Sequence, residues 1–283
     1  MQVRERITRI EGDLTAAERK LSAALLLDYP FTGLDTIQAL ADKTQTSSPT
    51  ISRFVTKLGF NGYQDFQRHL IAELKEGKHS PLDLHRGDRP RVGGFLEDFI
   101  ARASHIVAAS TTSISEAQFN RVTDLLADPR RGLHVIGGRI SDSLALYLTR
   151  HMRQMRSGVS HLPADPETWP EHLLGMKSRD VLFIVDFRRY QPILCDLARR
   201  ASEGPAPRIV LMTDKWLSPV SRHANEVVAL PIESGTVWDS YCGALALVEA
   251  MVTRIAEDNW ERTRKRLEAW DAMRLHNEDD VND

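Results

Sequence analysis

The chain has 283 residues, of which 42% are hydrophobic and 27% charged, and its net charge is −2. That length allows two domains, and the composition is that of an ordinary globular protein. Near-neutral charge excludes a nonspecific nucleic-acid coat, so any DNA binding has to come from a local patch. Cys195 and Cys242 stand far apart with no C-x-x-C spacing, and neither a zinc site nor a disulfide framework is expected. With no leader-like opening and no apolar run of membrane-spanning length, a cytoplasmic protein without membrane contact is expected.

Residues 3–10 carry the pattern of a first short helix. Thr15 is placed to cap a second, with Glu18 at the reciprocal position of a capping box and an apolar stripe through Leu21, Ala24 and Leu25. Residues 36–60 then read as two short amphipathic helices joined at Gln45-Thr46-Ser47. Ile37, Leu40 and Ala41 form one apolar face, and Ile51, Phe54, Val55 and Leu58 form the other. Ser47 or Ser48 can cap the second helix, Pro49 suits its first turn, and Gly59 stops it. Its outer face shows Ser48, Thr50, Ser52, Arg53 and Lys57, the hydroxyls and cations that a major-groove reader offers. Two packed helices with a polar outer face also describe ordinary globular structure, so the context has to decide. Between Lys43 and His69 the charges are Lys43, Arg53, Lys57 and Arg68 against Asp65, a modest basic patch. One further helix, running through Leu74, completes an all-helical unit over 1–77.

Residues 78–94 are rich in glycine and proline and almost free of apolar side chains, and read as a linker. From 95 onward two helical patterns are followed by short β-type runs alternating with helices. The runs are 133–136, 159–162, 180–185, 208–212 and 227–230. A helix is predicted from 143 to about 155, another over 192–202, a short one over 219–224, and a long last one from about 240 to 260 and on to 273. Strands alternating with helices predict a parallel sheet flanked by helices. The α/β domain extends over 95–275, with an acidic tail at 276–283. Ligands of such sheets bind at the carboxyl ends of the strands, where strand order reverses.

Three loops leave those ends. The first holds Gly137, Gly138, Arg139, Ser141 and Asp142, where glycines allow close approach and a helix N-terminus favours an anion. Its missing third glycine excludes a dinucleotide fingerprint. The second holds Asp186, Arg188, Arg189 and Tyr190, and two adjacent guanidinium groups suit a phosphate or carboxylate. There the simpler reading is a pair between Asp186 and one arginine. The third holds Thr213, Asp214, Lys215 and Ser218, with Ser218 also a cap for the short helix that follows. Ser234, Asp239 and Ser240 precede the last helix and can close the pocket from another side. His223 and Glu233 are the nearest acid/base candidates, and nothing in their spacing ties them together. No catalytic residue, metal or cofactor is assigned.

The order of parts resembles the RpiR/MurR family of bacterial transcriptional regulators, an amino-terminal helix-turn-helix domain joined to a sugar isomerase (SIS) domain. The resemblance rests on Leu14-Thr15 to Arg19, on Ser47-Ser48-Pro49-Thr50-Ile51-Ser52-Arg53-Phe54, and on Leu58-Gly59-Phe60-Asn61-Gly62-Tyr63-Gln64-Asp65-Phe66. In the second half it rests on residues 137–141, on Phe187-Arg188-Arg189-Tyr190, and on Thr213-Asp214 with Ser218-Pro219. It implies an all-α helix-turn-helix domain followed by an α/β SIS-type domain. It further implies a regulator rather than an enzyme, a homodimer or homotetramer whose partners are double-stranded operator DNA and an anionic sugar-derived effector. By position, Ser47, Ser48, Pro49, Thr50, Ser52, Arg53 and Lys57 would face DNA. Gly138, Arg139, Ser141, Asp142, Ser143, Asp186, Arg188, Arg189, Tyr190, Thr213, Asp214, Ser218 and Ser240 would face the effector. The chain departs from the family pattern twice. Arg139 replaces the second glycine of the usual G-x-G-x-S, and Asp186-Phe187-Arg188-Arg189-Tyr190 stands in place of the S-x-S-G-x-T phosphate loop. An arginine-based site suits a sugar acid, a carboxylate, or a phosphate held by charge. The competing expectation is a sugar-phosphate isomerase with a helical appendage.

Overall fold

A computed structural model of the chain describes residues 3–27, 29–77, 93–204 and 206–273. It divides into two compact units, Met1–Ser80 and Pro81–Asp283. Apart from Gly93 and Gly94, the expected linker 78–94 lies outside the described residues, as does the acidic tail 276–283.

The first unit is all-helical: α1 (Val3–Arg9), α2 (Ala16–Leu27), α3 (Ile37–Thr44), α4 (Ser48–Lys57) and α5 (Tyr63–Gly77), with single 3-10 turns at Glu11–Asp13 and Phe31–Leu34. Val3, Ile7, Leu21, Leu25, Leu40, Ile51, Phe54, Val55, Phe66 and Leu70 close its core. The capping box of α2 forms as its spacing requires. Thr15 N donates to Glu18 Oε2 at 2.8 Å and Glu18 N to Thr15 Oγ1 at 3.3 Å.

The stretch 58–66 links α4 to α5 and is tied into the core of this unit. Leu58 and Phe60 are buried, and the Phe60 ring meets Phe66 edge-on at 5.6 Å. Gly59 turns the chain at φ 86°, and Phe60 N returns to Val55 O at 3.1 Å, closing α4. The Arg6 side chain donates to Leu58 O at 3.1 Å and lies over the Phe60 ring. Tyr63 Oη donates to Asp35 O at 2.9 Å, fixing the entry to α3.

In the second unit, α6 (Phe95–Ser110) and α7 (Glu116–Ala127) precede β1 (Leu133–Gly137), α8 (Asp142–Met155) and β2 (Val159–His161). Then come α9 (Trp169–Gly175), β3 (Val181–Val185), α10 (Pro192–Ser202), β4 (Arg208–Asp214), β5 (Glu226–Leu230), α11 (Cys242–Asp258) and α12 (Trp260–Asp271). The strands lie in the order β2-β1-β3-β4-β5, all parallel. Alternate side chains serve opposite faces. Val135, Phe183, Val210 and Val228 pack with α7, α8 and α11, whereas Ile136, Leu182, Ile184 and Leu211 pack with α9 and α10. Strand order reverses between β1 and β3, which puts the crevice at their carboxyl ends.

Three elements differ from expectation. The continuous last helix breaks at Asn259 (φ −127°, ψ 38°), and α12 packs on α8 with Thr263 buried and Arg266 Nε donating to Arg153 O at 3.0 Å. Contacts far along the chain set that bend. The short helix expected over 219–224 is a single 3-10 turn, Pro219–Arg222. Helix α9 was not foreseen. Trp169, which is buried against the sheet and donates to Pro163 O, anchors it.

Candidate functional site

Helices α3 and α4 form the expected pair, joined through Gln45 in the left-handed region at φ 52°. Thr36 caps α3, and Ser47 Oγ accepts from Thr50 N at 3.4 Å to cap α4. With Ile51, Phe54 and Val55 buried beneath, α4 turns Pro49, Ser52, Arg53, Thr56 and Lys57 outward, and Ser47 is exposed just ahead of it. Ser48 and Thr50 are half-buried. Ser48 Oγ donates to Gln38 at 3.4 Å, and Thr50 Oγ1 lies 2.9 Å from Ser47 Oγ.

The cations of this face are not equivalent. Lys57 reaches back to the start of α2, where its Nζ donates to Asp13 O at 2.7 Å and pairs with Glu18 at 3.1 Å. This cation of the outer face is thus also engaged within the helical unit. Arg68 pairs with Asp65 at 3.1 Å, and Lys43 donates to Thr32. Arg53 has only a long contact, 3.5 Å, to Thr50 Oγ1 among the described contacts. The exposed Thr56, beside Arg53 and Lys57, was not singled out from the sequence.

At the sheet, the first loop is closed on itself. A Cβ on Gly137 would lie 2.5 Å from the Asp142 backbone, so only glycine fits. Ser141 is buried, donates to Val185 O at 2.7 Å and accepts from Gly138 N at 3.0 Å. It locks β1 to β3 rather than opening a hydroxyl to the crevice. Asp142 accepts from Gly137 N and meets His161 Nε2 at 2.9 Å, and Ser143 Oγ donates to Ile140 O. Arg139 is exposed.

The second and third loops share a buried polar network. Asp186 is buried and accepts from Ser218 Oγ, and Thr213 Oγ1 donates to Asp186 O at 2.7 Å. Burial pushes the Asp186 carboxyl up to about 7, the Asp214 charge adding to it. Asp214, also fully buried, accepts from Arg188 N at 2.7 Å, Tyr190 Oη at 2.5 Å and Trp216 N at 3.0 Å. Burial pushes its carboxyl up to about 6 against those three donors. Burial, then the charge of Asp214, raises the Tyr190 phenol.

Arg188 does not pair with Asp186. Its guanidinium lies 4.0 Å over the Trp216 ring and makes a bidentate pair with Asp239, Nε to Oδ2 at 2.8 Å and a terminal nitrogen to Oδ1 at 2.5 Å. Arg188 is buried and Arg189 exposed, so the two guanidinium groups do not form one clamp. Lys215 pairs with Glu233 and lies 4.7 Å from the Trp216 ring. Among the described residues His223 closes the 3-10 turn and is joined to no acid/base partner. Ser240 N donates to Ile232 O at 2.8 Å, which ties the base of the 231–241 segment. Sequence reasoning missed Trp216. An aromatic residue directly after Asp214-Lys215 at a strand end was the available signal.

Residues 1–77 match the model of the helix-turn-helix domain of the rpiR family, and residues 125–254 match that of the SIS domain. The transcriptional regulator HexR of Escherichia coli is 23% identical over 261 residues, covering 91% of this chain and 84% of that protein. HexR of Pseudomonas aeruginosa is 22% identical over 235 residues, covering 82% and 80%. Among solved structures, the sugar isomerase domain of an RpiR transcription factor from Sphaerobacter thermophilus superposes with a TM-score of 0.58 at 18% identity, over 63% of this chain and 99% of that one. The Vibrio vulnificus NanR protein complexed with ManNAc-6P gives 0.54 at 18% identity, over 96% and 97%. At these identities the structural likenesses establish the fold.

Proposed function

We propose that this chain, which belongs to the RpiR family of helix-turn-helix transcriptional regulators with a SIS domain, reads operator DNA with α4 and senses an anionic sugar-derived metabolite at the β1/β3 crevice. The observation that carries the DNA-reading half is the outward face of α4. Ser47, Pro49, Ser52 and Arg53 stand exposed over a fully buried Ile51-Phe54-Val55 seat, the presentation that a recognition helix needs. The sensing half is supported by the loops that leave the carboxyl ends of β1 and β3, which carry exposed Arg139 and Arg189 and buried Arg188. The ManNAc-6P bound by the NanR protein supports a sugar phosphate as one ligand class. The arginines equally suit a sugar acid.

A regulator is favoured over an isomerase because the relatives matched over most of the chain are named transcriptional regulators. The cytoplasm is the compartment in which a DNA reader works, and no helix of the described residues is long and apolar enough to cross a membrane. In the proposed mechanism, effector binds one conformation of the SIS domain better than another. That preference changes the spacing of two helix-turn-helix units in a homodimer or homotetramer. The test is genomic footprinting of the bound chain, followed by retention of the recovered fragment with and without sugar phosphates and sugar acids. Recovery of discrete sites whose occupancy responds to one such anion is expected. Recovery of no site would contradict the reading, and aldose–ketose conversion without DNA binding would favour the isomerase.

A further inference from the structure

The segment 231–241 runs from β5 into α11 and is closed on itself. Ser234 Oγ and Thr236 Oγ1 each donate to Trp238 O at 2.8 Å, and Ser240 N returns to Ile232 O. Two ion pairs reach out from it, Asp239 to Arg188 and Glu233 to Lys215. Arg188, in turn, is positioned by groups that do not belong to the segment. Its backbone N–H is held by Asp214, and its guanidinium rests on the Trp216 ring. Removing Asp239 therefore takes the bidentate carboxylate from one edge of a guanidinium already aimed and already stacked. Such a fork accepts a carboxylate or a phosphate equally well.

We propose that Asp239 is an internal competitor for the effector. Its carboxylate occupies the guanidinium of Arg188 to which a phosphate or carboxylate of the ligand binds, and its displacement frees segment 231–241 at the head of α11. The inference rests on the sensing role proposed above and adds how binding leaves the crevice. Tyr241, which ends the segment, stacks on Phe187 at 4.9 Å. Beyond it, Gly243 lies so close to α6 that a Cβ there would meet Ser110 Oγ at 2.3 Å, and Cys242 Sγ contacts Ala103 O at 3.5 Å. A shift at the head of α11 thus passes to α6, the helix that follows residues 78–94.

The competitor predicts a ligand that binds more tightly when its rival is neutralised, because a site closed most of the time shows an apparent affinity reduced by its open fraction. Full-length protein is titrated calorimetrically with inorganic phosphate and, separately, with gluconate as the carboxylate probe. Asp239→Asn is expected to bind one of the two about tenfold more tightly than wild type, and the arm that tightens identifies the anion. Arg188→Gln, alone or combined with Asp239→Asn, is expected to lose that binding. Equal or weaker binding by Asp239→Asn overturns the competitor and leaves anion sensing standing. No anion binding by any form, wild type included, overturns both. Should Asp239→Asn fail to fold, hydrogen exchange on wild type decides: residues 231–241 exchange faster once the anion is bound, and unchanged or slower exchange there overturns the proposal.

Discussion

Arg53 and Lys57 lie one turn apart on α4 and carry the same charge, yet their surroundings assign them different work. Lys57 closes the capping box of α2 through Glu18 and Asp13 O, whereas Arg53 projects outward beside Thr50. Arg53→Ala is therefore expected to weaken operator binding by about 1–3 kcal/mol with little change in thermal midpoint. Lys57→Ala should do the reverse, lowering stability by up to ~1 kcal/mol for a partly exposed pair and leaving DNA affinity nearly intact. Gel-shift titration together with thermal denaturation separates the two. Asp186 gives a pH signature. Its folded-state carboxyl stands at about 7 against an ordinary 3.8, so the folded chain binds the extra proton. The resulting stability is fully present below 3.8 and is lost as pH rises toward about 7. Urea unfolding should show stability falling with rising pH across that window, and Asp186→Asn should flatten the slope. A wild-type curve that rises steadily through the same range would contradict the burial argument.

At the scale of elements, the turns are the places where one atom matters. Gly137→Ala sets a Cβ against the backbone of Asp142, and the β1–α8 turn has to open, at a cost of about 1–3 kcal/mol. Chemical denaturation of the variant checks it, and an unchanged midpoint would refute the tight turn. Local chemistry of this kind was legible in the sequence. The capping box at Thr15 and Glu18, the Ser47 cap and the Gly59 stop depend on neighbours a few residues away and form where their spacing puts them, and the five strands form close to their short apolar runs. The break at Asn259 and the helix at Trp169 were not legible, because each is set by surfaces distant in the chain. The candidate site divides in the same way. Its three loops could be located from strand ends, but the carboxylate that holds the Arg188 guanidinium bidentately is Asp239, 51 residues on. That pairing depends on the 231–241 segment crossing the end of β4, which no local pattern encodes. Ser141 illustrates the same limit, since its hydroxyl, in the turn after β1, is spent on Val185 O at the end of β3.

For the whole molecule, the modest basic patch sets an expectation about affinity. With Lys57 and Arg68 committed to carboxylates, few cations remain to displace counterions, and the slope of DNA affinity against salt should be appreciable but shallow for a DNA-binding protein. A flat response would count against a phosphate-contacting reader. The proposed control of operator binding requires that the effector bind two conformations of the SIS domain unequally, and a typical coupling of about 1–3 kcal/mol corresponds to roughly 5–150-fold in affinity. The most direct test of the central claim is fluorescence anisotropy of the full-length protein on the fragment recovered by footprinting, titrated in parallel with Arg53→Ala and repeated with a panel of sugar phosphates and sugar acids. The account predicts tight retention by wild type, at least about tenfold weaker retention by Arg53→Ala, and a shift of similar size in the wild-type curve with one anionic sugar. Identical curves for wild type and Arg53→Ala, unmoved by every anion, would contradict it.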